Sequence, residues 1–160
     1  MKFVYHDGGR SQFFKGTAGD CVARSIAIVS GMPYDEIYQR LASGQEGMRR
    51  TKRKPKAGKR SARNGIYTKT KWFKDFMEAI GFEWTPTMQI GQGCKVHLAD
   101  GELPNGKLIV SVSRHYTAVI DQVIYDTYDP QRRTAWYDNG DGIATRFTER
   151  CVYGYWRLVN

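Results

Sequence analysis

One ten-residue stretch, Cys21-Val-Ala-Arg-Ser-Ile-Ala-Ile-Val-Ser30, constrains what this chain can fold into more than any other. Val22, Ala23, Ile26, Ala27, Ile28 and Val29 fall on nearly every side of a helix of period 3.6. A helix built this way has almost no polar face to give to water, so it belongs through the middle of a small domain. Gly31 suits its end, since glycine takes the left-handed conformation that commonly terminates helices. Pro33 sits where a second helix begins, and 34–42 places Ile37, Tyr38 and Leu41 on one stripe. A third helix is predicted over 68–80, where Trp72, Phe76 and Ile80 recur four apart beside Phe73 and Met77 and Gly81 closes the run.

After Gly81 the pattern changes to strands. Lys107–Val112, His115–Ile120 and 123–128 are rich in Val, Ile, Thr and Tyr, and the two residues Asp121-Gln122 are the right length for a hairpin turn. Weaker strands are predicted around 134–137 and 145–147, and a clearer one at 152–159. Residues 1–15 read as a short extended lead-in, broken by Asp7-Gly8-Gly9. Helices first and an antiparallel sheet later define an α+β chain. At 160 residues and 41% hydrophobic content, one domain over 1–160 with its own core is expected.

Charge is concentrated in one place. The chain has 25 Lys and Arg against 16 Asp and Glu, a net charge of +9, and nine of the bases lie between Arg49 and Arg63 with no acid among them. They are Arg49, Arg50, Lys52, Arg53, Lys54, Lys56, Lys59, Arg60 and Arg63; the remaining chain is neutral. With its glycines and Pro55, the stretch at about 44–65 is expected to be a flexible insertion that buries little apolar surface. Its charge suits nucleic-acid phosphates or an acidic protein surface. No aromatic residue stands within it to stack on bases.

No run reaches the length of a membrane span and residues 1–10 lack the apolar core of a signal peptide, so a cytoplasmic protein without membrane association is expected. Three cysteines, an odd number, are then expected to be reduced thiols.

Chemistry gathers around Gly19-Asp20-Cys21. A thiol in the first turn of a helix faces unsatisfied backbone N–H groups and the positive end of the dipole, which favour thiolate over thiol. His115, at the start of a strand, is the best available base. Pairing about Asp121-Gln122 sets Thr117 opposite Asp126, so His115, Thr117 and Asp126 share a face and Asp126 lies diagonal to the imidazole. Asp126 is the expected orienting carboxylate of a Cys21-His115-Asp126 triad. Asp129 is the alternative, one bulge away in parity.

This order resembles the papain-like cysteine peptidases, with the cysteine heading a central helix and the histidine and aspartate on the later sheet. Gly19–Cys21, Ser61-Ala-Arg-Asn-Gly65, Gly93-Cys-Lys-Val-His-Leu98 and the segment from His115 to Pro130 resemble small bacterial and phage-encoded members of that superfamily. The resemblance implies a papain-like α+β fold, a buried N-terminal helix carrying the cysteine packed on a C-terminal antiparallel sheet, and a thiolate–imidazolium pair. It names no substrate. Where such peptidases usually carry an oxyanion-stabilising Gln, six residues before the nucleophile, this chain has Lys15; Gln12 and Thr17 are the candidate donors in its place.

Other motifs carry less. Gly101 to Lys107 has the spacing of a phosphate-binding loop, but Leu108 follows where Ser or Thr is needed and a strand follows instead of a helix. Cys94-Lys-Val-His97 with Cys151 makes an incomplete zinc set, so no metal and no cofactor are expected. Two readings stay open. One is a cysteine-dependent amide hydrolase acting on a protein or peptide substrate through a thioester; the other is a papain-like scaffold without turnover, binding nucleic acid or a host protein through 49–63.

Overall fold

The computed structural model describes residues 1–16, 18–132, 136–138, 144–146 and 149–159. Three helices, α1 (Cys21–Ser30), α2 (Tyr34–Glu46) and α3 (Lys71–Ala79), pack with a six-stranded sheet of β1 (Lys2–Tyr5), β2 (Phe82–Pro86), β3 (Lys107–Val112), β4 (His115–Ile120), β5 (Val123–Asp126) and β8 (Gly154–Leu158). A separate two-stranded ribbon is formed by β6 (Trp136–Asp138) and β7 (Ala144–Arg146). The sheet order is β1-β5-β4-β3-β8-β2. Every pairing in it is antiparallel except that of β1 with β5. The α+β class expected from the sequence is therefore the observed one. No helix among the described residues is long and apolar enough to cross a membrane.

The bounds of α1 coincide with the apolar stretch, and Gly31 caps it at φ 73°, in the left-handed region. Ala23 and Ile26 are completely buried, and α1 lies across β4. Val22, Ile26 and Val29 join Ile37 and Leu41 of α2, Phe73 and Met77 of α3, and Ile109, Tyr116 and Ala118 of the sheet in one core. The opposite face of the sheet buries Leu108, Val110, Val119 and Ile124 under Leu98, Leu103 and Val152, which makes β4 a strand covered on both sides. Burial on this scale contributes about 1.5–3 kcal/mol for each large side chain.

The β4–β5 hairpin has the predicted two-residue turn, with Ile120 opposite Val123. Asp121 and Gln122 both adopt positive φ, 47° and 69°, the geometry whose twist matches the flanking strands. Gln122 is held there by its side chain: its Nε2 donates to the Leu103 carbonyl at 2.6 Å.

Four expectations change or sharpen. β1, within the stretch read as a short extended lead-in, is a strand of the main sheet, because its backbone pairs in parallel with β5, Lys2 opposite Val123 through Tyr5 opposite Asp126. Helix α2 runs on to Glu46, so the stretch assigned to an insertion at 44–65 begins inside a helix. The remainder is gathered around one buried amide: Gln45, 3% exposed, donates from Nε2 to the carbonyls of Ser61 and Gly65 and accepts from the Tyr67 N–H. Ala57 and Ala62 are buried beneath that loop. Last, Cys94 and Cys151 are not free thiols but a disulfide. The antiparallel bridge between His97 and Cys151 brings the two Cα atoms to 5.9 Å, within bonding reach. Cys21 alone is a free thiol.

Candidate active site

The first residue of α1 and the first residue of β4 meet. Cys21 is partly buried at the N-terminus of the helix, and the imidazole of His115 lies close enough to its sulfur for each to shift the other's proton affinity. The Tyr116 backbone N–H also acts on the thiol. Burial alone would push the Cys21 thiol up. The His115 hydrogen bond and charge, the Tyr116 N–H and the nearby Arg24 guanidinium outweigh burial and hold the thiol below its usual range.

His115 is 7% exposed and reaches Asp126, with Nε2 lying 2.6 Å from Oδ2. Burial favours the neutral ring, but the hydrogen bonds and charges of Asp126 and Cys21 dominate, and the imidazole is pushed up to about 9. On its other edge Nδ1 lies 3.1 Å from the Tyr128 hydroxyl, whose ring packs on the imidazole with centroids 5.0 Å apart. Both shifts favour a charged ring and a charged sulfur over their neutral forms.

Asp126 is buried, and donors surround it. Oδ2 accepts from the Thr117 hydroxyl at 2.7 Å as well as from His115. Oδ1 accepts from the Thr127 N–H at 2.7 Å and lies 3.7 Å from a guanidinium nitrogen of Arg24. Burial would raise this carboxyl; its partners, His115 first, hold it below the usual carboxylate range. Asp129, the alternative orienter, is engaged elsewhere, accepting from the N–H and the side-chain amide of Gln131 at 3.0 Å each.

A second buried carboxylate lies on the other side of Arg24. Asp20, 1% exposed, precedes the cysteine and forms ion pairs with Arg24 and with Arg10, whose Nε is 2.9 Å from Oδ2, while the Tyr34 hydroxyl donates to the same carboxylate. Asp20 therefore does not cap α1 with its side chain. Its partners also fix the backbone leading to the nucleophile, since Arg10 donates to the Gly16 carbonyl and Arg24 to the Ala18 carbonyl. Buried charges of this kind persist only when paired and hydrogen-bonded.

The sequence pattern does not single out Arg10, Arg24, Tyr34 or Tyr128 for this site, and it gives Asp20 only as part of Gly19-Asp20-Cys21, without a role. A signal existed for one: Arg24 is the only charge in an otherwise apolar, buried helix, and a charge there demands a buried partner.

The oxyanion candidates fare differently. Gln12 is exposed on a short 3-10 turn, Arg10–Gln12, and no hydrogen bond among the described residues ties its amide to Cys21 or His115. Thr17 lies outside the described residues. The basic segment approaches the site from another side. Arg63 and Asn64 pack against Gly19, with the Arg63 carbonyl 3.6 Å from where a Gly19 Cβ would stand. Arg49, Arg50, Lys52, Arg53, Lys56, Lys59, Arg60 and Arg63 are exposed and Lys54 is half-buried. Arg60 pairs with Glu46 at 3.0 Å, and Lys56 donates to the Asn64 carbonyl.

No protein-family model, no curated protein and no solved structure matches the chain. No cluster of three or more metal-ligating side chains is found among the described residues.

Proposed function

We propose that this chain is a papain-like cysteine-dependent amide hydrolase, a peptidase or isopeptidase, with Cys21 as nucleophile, His115 as acid and base, and Asp126 as the orienting carboxylate. One observation carries the reading: His115 stands between Asp126 and the only free thiol, with Nε2 committed to the carboxylate at 2.6 Å. In this reading Nδ1, which also lies 3.1 Å from the Tyr128 hydroxyl, exchanges protons at the sulfur side.

The steps follow from the charge state. The Cys21 thiolate attacks the carbonyl carbon; the carbon–sulfur bond forms and the carbonyl π electrons move onto oxygen. Backbone N–H groups of the first turn of α1, Cys21's own among them, lack helical acceptors and can stabilise that oxyanion. As the tetrahedral intermediate collapses, Nδ1 of the imidazolium gives its proton to the departing amine and the carbon–nitrogen bond breaks. Water then attacks the thioester while giving a proton to Nδ1, the carbon–sulfur bond breaks, and the carboxylic acid product leaves behind the thiolate–imidazolium pair and loses its own proton to solvent. Asp126 keeps the ring oriented and stabilises its positive charge throughout. Deamidation and acyl transfer would use the same thioester.

Rates of alkylation by iodoacetamide, site-resolved by mass spectrometry, test the reading. Cys21 alkylates much faster near neutral pH in the native protein than in the denatured chain, and His115→Gln removes the advantage. Equal rates in native and denatured protein would overturn the proposal.

A second reading, a scaffold that binds nucleic acid or an acidic protein without turnover, is favoured by the exposed cations of 49–63. Binding to generic DNA or RNA that weakens steeply with salt, together with an unreactive Cys21, would select it.

A further inference from the structure

A groove of about 790 Å³ with no carboxylate in its lining has Tyr116, the residue after His115, in its wall. Trp84, Tyr153 and Trp156 line it as well; Met88 and Ile90 add apolar surface, and the exposed Lys69, Lys71 and Lys74 form a lysine rim. The volume is in the range of sites that take a small molecule or a few side chains. Tyr116 joins groove to chemistry: it lines the wall, its N–H acts on the Cys21 thiol, and it follows His115 directly.

Two features of this groove ask for an occupant. The first is apolar surface left in water. Ile90 is fully exposed at 104%, Met88 at 41%, Tyr153 at 40% and Trp84 at 37%, all on one groove. Trp84 is laid there deliberately by the backbone, since its ring packs over Gly154 so closely that a Cβ would come within 2.4 Å of it. A contiguous apolar surface of this kind marks a binding site more often than a solvated face. The second feature is charge. Lys71 and Lys74 have i,i+4 partners in Asp75 and Glu78, at 2.5 Å and 3.9 Å, but these are exposed pairs of small worth, and neither carboxylate lines the groove. The basic loop also comes close to the cysteine in the fold, since the backbone of Arg63 and Asn64 packs against Gly19, two residues before it. Cations of both segments therefore contribute a positive field around the site.

We infer that the substrate of this site is an acidic polypeptide segment, with a large apolar side chain seated in the groove near the scissile carbonyl and carboxylates lying along the lysine rim. The inference rests on the hydrolase reading and narrows it to a substrate class. Field from the rim and the loop raises the encounter rate of such a segment, an effect that falls as salt rises.

The test uses peptidyl acyloxymethyl ketones on the full chain, with Cys21 modification followed by intact mass. Three probes are compared: Glu-Glu-Phe-Gly, Lys-Lys-Phe-Gly and Glu-Glu-Gly-Gly. Each rate is divided by the same protein's iodoacetamide rate. The acidic Phe probe is expected to react about tenfold or more faster than the other two at low salt. Its advantage over the lysine probe should shrink in about 0.5 M salt, and Lys69→Glu with Lys74→Glu should reverse it. An equal or faster lysine probe at low salt, or a charge preference unmoved by the double substitution, would overturn the substrate class. Slow iodoacetamide alkylation of native Cys21 would overturn the nucleophile itself, while fast alkylation without preference among the probes would sink only the substrate class.

Discussion

Arg24 stands between two buried carboxylates, ion-paired with Asp20 on one side and 3.7 Å from Oδ1 of Asp126 on the other. The charge that anchors the backbone before Cys21 thus also faces the carboxylate that His115 contacts. Stability and candidate chemistry share one network, and substitutions can separate the two.

Asp20→Ala is expected to destabilise strongly with no direct effect on proton transfer. It strips Arg10 and Arg24 of their main partner and leaves the Tyr34 hydroxyl without its acceptor, all of them buried. Breaking a buried ionic cluster from one side costs about 3–5 kcal/mol. At roughly 2–4 °C per kcal/mol for a chain of this size, the thermal midpoint should fall by on the order of 10 °C or more. Thermal denaturation followed by circular dichroism measures it; a change within about 2 °C would show that the cluster is not holding the structure.

Asp126→Asn preserves shape and removes charge. His115 keeps a neighbour at Nε2 but loses the anion that raises its proton affinity, and the Cys21 thiolate loses the imidazolium in turn. The hydrolytic rate should drop by roughly 10⁴-fold, the scale seen when an orienting carboxylate is neutralised. The thiolate titration of Cys21 should move towards the ordinary thiol range. Asp129→Asn should do neither, because Asp129 serves Gln131. Comparable losses in both variants would reassign the orienter.

The pH dependence has a defined sign. His115 is raised from 6.5 to about 9, so its contribution to stability is complete below pH 6.5 and is lost as pH rises through 9. Cys21 is lowered from 9.0, so its contribution is present above pH 9.0 and is lost as pH falls through its depressed value. The stability difference between the native sequence and His115→Gln, from urea unfolding at several pH values, should therefore shrink between pH 6.5 and pH 9. Hydrolysis should fall on the same alkaline limb, as the proton destined for the leaving amine is lost. A difference that grows over this interval would contradict the raised value.

The disulfide should matter for stability and not for the nucleophile. It closes a loop of 57 residues' separation, and removing such a link costs about 2–4 kcal/mol. Cys94→Ser with Cys151→Ser should lower the midpoint of urea unfolding while the native Cys21 keeps its fast alkylation. Loss of that reactivity at temperatures where the variant is folded would place the bridge in the site's own architecture.

Much of this was legible in the residue pattern, and the exceptions share a cause. Helix α1 and the β4–β5 hairpin are local: the period of six apolar residues and a two-residue turn fix them, and the hairpin register puts Thr117 and Asp126 together. What escaped is non-local. The four residues of β1 are too few to signal a strand, and their partner β5 lies over a hundred residues on, in a parallel pairing that no turn announces. Arg10, Asp20 and Arg24 read as ordinary charges until the fold buries them together. The bridge between Cys94 and Cys151 was hidden by an odd cysteine count, which a single free thiol at Cys21 accounts for. Gln45 fell within the stretch expected to be a flexible insertion, yet it lies in α2 and its amide organises the loop that follows.

The most direct test of the central claim is the ultraviolet thiolate absorbance of Cys21 followed against pH, taken as the difference between the native sequence and Cys21→Ser. The account predicts a thiolate that forms below the ordinary thiol value of 9.0, and a return towards that value in His115→Gln. A thiolate that appears only in the ordinary range, unchanged by His115→Gln, would contradict it.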